Sequence, residues 1–387
     1  MNSLGTVFLN KFQNAAAEAG PDETKRNPWF VYLGILLLYL TFRLIAWHNT
    51  TILEDNDSLY YLLDIRNFLK HGLAFFFSMH VDMTPFYPLW GAFFSLPGWS
   101  VEVGARLTSL VFSVVLFFAI LGIGRKIVSS AGIILALSII SIHAVFIPFS
   151  ISILTEPSYV AVAYLGLWLF WRQHKNPTPS KAVLLGIVFG LCFLNRTEGL
   201  LFIATIPAFQ LVHYFFVREK SYNFKQAVVW SLLFVTTFGL LNLPQVMRVS
   251  NKLGFFAING RQLWVLMLNN PDGKSDEQKI WGLDYSPSQV NILYAQNHPE
   301  VVREFESSIS LIEYAKTAKQ NLKVLVRRRL FQLLGLPGIL FFCFGLMYLL
   351  FSRRFYDLFL VVAFISTNLA GPFIHDVNIR HIAVIGP

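Results

Sequence analysis

Residues 105–126 read ARLTSLVFSVVLFFAILGIGRK, an apolar run closed on one side by Arg106 and on the other by Arg125 and Lys126. A transmembrane helix needs about 20 mostly apolar residues, and this run reaches that length with no charge inside it. The pattern recurs along the chain. Hydropathy places spans at residues 29–47, 102–124, 131–149, 154–171, 182–194, 200–217, 227–247, 330–351 and 355–373, and Ile382 opens a further one. The expected fold class is therefore an all-α polytopic membrane protein, a bundle of about nine to ten transmembrane helices.

Composition agrees. Of 387 residues, 55% are hydrophobic and only 14% charged, whereas a soluble domain carries about 25% charged residues. A cytosolic enzyme, a disordered chain and a small disulfide scaffold are all excluded. The net charge of +9 is scattered between apolar runs rather than gathered in a patch, so no nucleic-acid partner is expected. Cys192 and Cys343 sit inside apolar runs and read as small core residues. Residues 1–27 are polar and end in Lys25-Arg26, which reads as a cytosolic tail rather than a cleavable signal.

Lys and Arg set the orientation. With the N-terminus in the cytosol, the inner segments hold Arg125, Lys126, Arg172, Lys175, Lys181, Arg218, Lys220, Lys225, Arg353 and Arg354. The short outer loops hold only Arg66, Lys70 and Arg196, with Arg106 near a span end. The segment from 249 to 329 is also basic, but segments longer than about 60 residues are largely exempt from the rule. The acids run the other way, with Glu54, Asp55, Asp57, Asp64, Asp82 and Glu102 gathered in or beside the first outer loop, 48–101. Localisation follows as a multi-pass protein of the cell (inner or plasma) membrane, or of the endoplasmic reticulum.

That loop opens with an amphipathic pattern after Asp57, in which Leu62, Ile65 and Leu69 form one side and Tyr60, Asp64, Asn67 and His71 another. A helix of this kind lies on the membrane surface. Next comes MTPFYPLWGAFFSLPG (83–98), whose three prolines prevent a full span. Residues 249–329 form a second non-cytosolic region ending in a basic amphipathic helix, with Lys316, Lys319, Lys323 and Arg327–Arg329 on its polar side, suited to lipid headgroups. Residues 330–387 are the C-terminal spans, and 28–248 the transmembrane core.

Four stretches in the same order, DNDSLYYLLDIRNFLKHG (55–72) with TPFYPLW (84–90), ARLTSLVFSVVLFFAILGIGRK (105–126), ILTEPSYVAVAYLGLWLFW (153–171) and GIVFGLCFLNRTEGLLF (186–202), together resemble the GT-C superfamily of glycosyltransferases. The group they are most similar to is the family-39-like one of protein mannosyltransferases and lipid A aminoarabinose transferases. IRHIAVIGP (379–387) is similar to that group's Arg-Tyr…Pro segment, with His381 in place of Tyr. Relatives continue for several more spans, so a short or truncated form is expected.

The resemblance implies an inverting transfer of a sugar from a polyprenyl-phosphate donor to an acceptor hydroxyl on a lipid, glycan or protein, at the non-cytosolic face. It places the catalytic base at Asp57, or at Asp55, and substrate contacts at Tyr60, Tyr61, Glu156, Arg196, Glu198, Arg380 and His381. From the residues alone, Asp57 equally suits an N-cap, Glu156 a helix start that favours the dipole, Arg196 and Glu198 a solvated pair, and Arg380 and His381 a boundary charge. Asp55-Asn56-Asp57 also spells a metal-type Asp-x-Asp, but a monophosphate leaving group needs only a well-placed Arg, so no cofactor is expected. Three other readings stand beside the transferase: a transporter or flippase of lipid-linked intermediates, a polymerase or ligase using a diphosphate-linked donor, and an inactive relative.

Overall fold

The computed structural model describes residues 29–49, 56–81, 83–175, 178–216, 223–253 and 256–258, with 345 and 347. Every regular element among them is helical. Three helices are long and apolar enough to cross a membrane: α1 (Trp29–Asn49), α5 (Val101–Ile127) and α11 (Phe224–Leu253). Between them run α2 (Asn56–His71), α3 (Phe75–Ser78), α4 (Phe86–Ser95), α6 (Ser130–Ile142), α7 (Phe146–Phe149), α8 (Glu156–Lys175), α9 (Pro179–Asn195) and α10 (Phe202–Phe216). The chain is a helical membrane protein. The expected spans at 330–351, 355–373 and beyond Ile382, and the basic helix before them, lie outside the described residues.

Local chemistry explains several boundaries. Ser100, Ser129 and Thr178 each accept a hydrogen bond from the backbone N–H three residues on, capping α5, α6 and α9. Pro179 occupies the first position of α9, where its missing N–H costs nothing. α2 stops at Gly72, whose φ of +60° is open to glycine without strain.

The packing runs α1 on α6, α4 on α5, α5 on α8, α8 on α9, and α9 on α11, with α2 against α4. Small residues allow the closest of these approaches. A Cβ added at Gly104 of α5 would lie 2.5 Å from the carbonyl oxygen of Gly91 in α4, the kind of backbone approach that small residues permit between membrane helices.

Two expectations require correction. The run 131–149 is not one helix, because α6 ends at Ile142 and the short α7 follows after a turn at His143. Arg43 of α1, only 1% exposed, donates to the carbonyls of Ile140 at 3.3 Å and Ser141 at 3.1 Å. The terminal carbonyls of α6 thus find a guanidinium instead of a further helical turn. The second correction concerns α2. Its inward face is Ser58, Tyr61, Asp64, Ile65 and Phe68, whereas Leu69, with Leu59 and Leu63, is exposed. Asp64, expected on the polar side, is buried beside Ile65.

Candidate functional site

α8 opens at Glu156, where a carboxylate complements the helix dipole. The preceding Thr155 accepts the Tyr159 N–H at 2.9 Å and the Ser158 hydroxyl at 2.9 Å through its carbonyl. On the neighbouring helix, α9 ends at Asn195, and the Arg196 N–H closes the last turn by donating to the Cys192 carbonyl at 2.8 Å. A 3₁₀ turn over Thr197–Leu201 then folds back. Gly199 is needed there for space, since a Cβ would lie 2.5 Å from the carbonyl carbon of Cys192.

These two helix ends bring together residues forty apart in sequence. Arg196 Nη1 lies 2.5 Å from Glu156 Oε1. Its other edge forms a fork with Glu198, Nη2 to Oε1 at 2.8 Å and Nε to Oε2 at 3.3 Å. The side chains of Arg196 and Glu156 are 8% and 3% exposed, and that of Glu198 is 21% exposed. Two carboxylates thus share one buried guanidinium, a planar fork suited to bidentate pairing. The solvated-pair alternative for Arg196 and Glu198 does not hold, because Arg196 is enclosed and held by a third residue. With both edges of its fork engaged, Arg196 positions carboxylates in this structure.

The loop between α1 and α5 meets the same place at two points. From α2, the Ser58 hydroxyl donates to the Ile153 carbonyl at 3.1 Å, and the Tyr61 hydroxyl lies 3.4 Å from Thr155 Oγ1. Thr155 Oγ1 is in turn 3.5 Å from Arg196 Nη1. From the segment before α4, Thr84 Oγ1 donates to the Asn195 carbonyl at 2.6 Å. Asn195 Nδ2 donates to Ser158 Oγ at 2.8 Å, tying α9 to α8 two residues past Glu156. Tyr87 lies edge-on to Tyr61 and donates to the Ala105 carbonyl at 2.9 Å.

Of the residues singled out in sequence, Glu156, Arg196 and Glu198 are joined directly, and Tyr61 reaches them through Thr155. Tyr60 and Asp57 are half-buried on α2. α2 begins at Asn56, so Asp57 lies inside its first turn rather than at the N-cap position. Asp55, Arg380 and His381 lie outside the described residues. Thr155, Ser158, Asn195 and Thr84 gave no signal in the sequence beyond their adjacency to motif residues. Among the described residues, no three His, Cys, Asp or Glu side chains gather as a metal site requires.

Asp64 is a further buried carboxylate on α2. It is 8% exposed, and burial pushes its pKa up to about 7 against the opposing pull of Arg248 and Lys252.

Fold and site together define a helical membrane protein with a buried carboxylate–arginine cluster beside an acidic loop. No protein-family model matches the chain, and no curated protein matches its sequence. Its fold is similar to that of archaeal oligosaccharyltransferase. The apo form of the Archaeoglobus fulgidus enzyme superposes with a TM-score of 0.60 at 15% identity, covering 95% of this chain and 50% of that one. AglB from the same organism, in complex with an inhibitory peptide and a dolichol-phosphate, gives a TM-score of 0.55 at 13% identity, covering 92% and 49%. The chain spans about half the length of those structures, and at such identity the likeness is one of fold.

Proposed function

We propose that the protein is a membrane glycosyltransferase that moves a sugar from a polyprenyl-phosphate carrier to an acceptor hydroxyl at the non-cytosolic face, with its N-terminus in the cytosol. The observation that carries this reading is the meeting of the sequence motifs. The acidic loop, the Glu156-Pro157 helix start and the Arg196-x-Glu198-Gly199 turn are linked by direct hydrogen bonds. The fold likeness to an enzyme solved with a dolichol-phosphate supports a lipid-borne donor. The family-39-like type remains our reading of the motifs.

In the proposed reaction the acceptor oxygen attacks the anomeric carbon while the carbon–oxygen bond to the carrier phosphate breaks, inverting the centre. The hydroxyl proton passes to the Asp57 carboxylate, with Asp55 as the second choice of base. The polyprenyl phosphate leaves with the bonding electrons, and Arg380 with His381 neutralises it. Glu156 and Glu198, held by Arg196, form the wall that orients the sugar, and Tyr60 and Tyr61 contact it from α2. A general base so placed contributes about 10²–10⁴-fold.

The test is a transfer assay with purified protein in lipid vesicles, supplied with radiolabelled polyprenyl-phosphate sugars. Asp57→Asn is expected to lower carrier release by about 10²-fold or more. Release unchanged in both Asp57→Asn and Asp55→Asn would refute the base assignment.

A further inference from the structure

The basic residues at the end of α11 remain without a role in the reaction just described. Arg248 is 3% exposed and donates from Nη1 to the carbonyls of Met79 at 2.7 Å and His80 at 2.9 Å, and from Nη2 to Met83 at 2.8 Å and Gln245 Oε1 at 3.1 Å. One turn on, Lys252 Nζ donates to the carbonyls of Ser78 at 2.8 Å and Met79 at 2.6 Å. The carbonyls at the end of α3 have no intrahelical partners, and cations satisfy them there. The stapled stretch leads straight into Thr84, whose hydroxyl holds the Asn195 carbonyl. The next residue is Arg196.

We infer that Arg248 is a positioning residue for the carboxylate–arginine cluster: it fixes Met79, His80 and Met83 on α11, and through the adjoining Thr84 it fixes the peptide carrying Arg196. Three observations support the path. The fork makes several parallel bonds, a rigid geometry that a single ammonium cannot copy. The Thr84 bond is short, and both partners are buried. Asn195 is held from two sides, by Thr84 at its carbonyl and by Ser158 at its amide, so slack at Thr84 reaches Arg196 and Glu156 together. A displacement of about 1 Å in a positioning group costs up to about 10²-fold in rate.

The inference rests on the proposed transfer reaction for its kinetic readout only. In the vesicle assay, kcat and donor KM are measured for the wild type, Arg248→Gln, Thr84→Val and the double variant. Each single change is expected to lower kcat about 10- to 100-fold with KM within about twofold. The double variant is expected to be no slower than the slower single, because both cut one path. Arg248→Lys is expected to recover part of the loss. Losses that multiply in the double variant, or a KM rise with kcat intact, would overturn the inference.

A wild type inactive on every donor would defeat the proposed function, and the staple would then be judged by amide hydrogen exchange in lipid. Arg248→Gln, or Thr84→Val should the former not fold, is expected to speed exchange at Arg196–Gly199 about tenfold while α1 and α6 stay unchanged. Unaltered exchange at that turn would overturn the inference on its own.

Discussion

Replacing Arg196 by Met removes a cation that two carboxylates share while keeping a side chain of comparable length. Glu156, with 3% of its side chain exposed, cannot recover solvation from water. Removing one partner of a buried ion pair costs about 3–5 kcal/mol, because the remaining charge is left uncompensated. Glu198 adds less, since its 21% exposure lets water screen it. Arg196→Met is therefore expected to lose about 3–5 kcal/mol. Glu156→Gln combined with Arg196→Met should lose less than about 2 kcal/mol, because the buried charge goes together with its partner and only hydrogen bonds are forfeited. The assay is denaturant unfolding in mixed micelles followed by tryptophan fluorescence, with the midpoint and slope determined for each variant. A single-variant cost below about 1 kcal/mol, or a double variant as unstable as the single, would refute the claim that Glu156 and Arg196 are a buried, mutually dependent pair.

Two further outcomes follow from the buried Asp64 and the packed Gly199. Asp64 holds its proton up to about pH 7 in the folded protein but only to its ordinary 3.8 when unfolded. The native state therefore binds more protons than the unfolded state between those values, and stability falls as pH rises through that window. Asp64→Asn should abolish this slope. Its advantage should grow to as much as about 4 kcal/mol at about pH 8 and vanish near pH 4; equal slopes for variant and wild type would contradict the assignment. Gly199→Ala should cost about 1–3 kcal/mol, because its Cβ meets the final backbone turn of α9 rather than a side chain that can move. An unchanged unfolding midpoint would show that the turn has more room than its packing indicates.

How much of this was legible in the sequence depends on what hydropathy reports. The apolar runs fixed the boundaries of α1, α5 and α9 to within a few residues, and α5 and α9 end at charges or caps such as Ser100, Arg125 and Thr178. Hydropathy does not distinguish lipid from protein interior as a neighbour, and so it does not show which side of α2 packs inward. Its leucines at 59, 63 and 69 are exposed, whereas Ser58 and Asp64 turn inward. α5 repeats the lesson: Gly104, Thr108, Ser109 and Ser113 are buried, and Val111 and Phe118 are exposed, as expected where small and weakly polar residues make helix contacts. The division of 131–149 was hidden because the group that ends α6 is Arg43, nearly a hundred residues earlier. Motif order marked Glu156, Arg196 and Glu198 as candidates, but no spacing rule pairs a helix start with the end of the next helix. The reach of Arg248 to Met79, His80 and Met83 had no local signature at all.

In the proposed reaction the acid of the loop and the buried glutamate belong to one transfer site. Single-turnover release of polyprenyl phosphate from a vesicle-bound donor tests it most directly, comparing wild type, Asp57→Asn, Glu156→Gln and the double variant. The expected result is release by the wild type, losses of about 10²-fold or more in each single variant, and a double variant little worse than either. Release persisting in both single variants, or independent losses that multiply in the double, would contradict it.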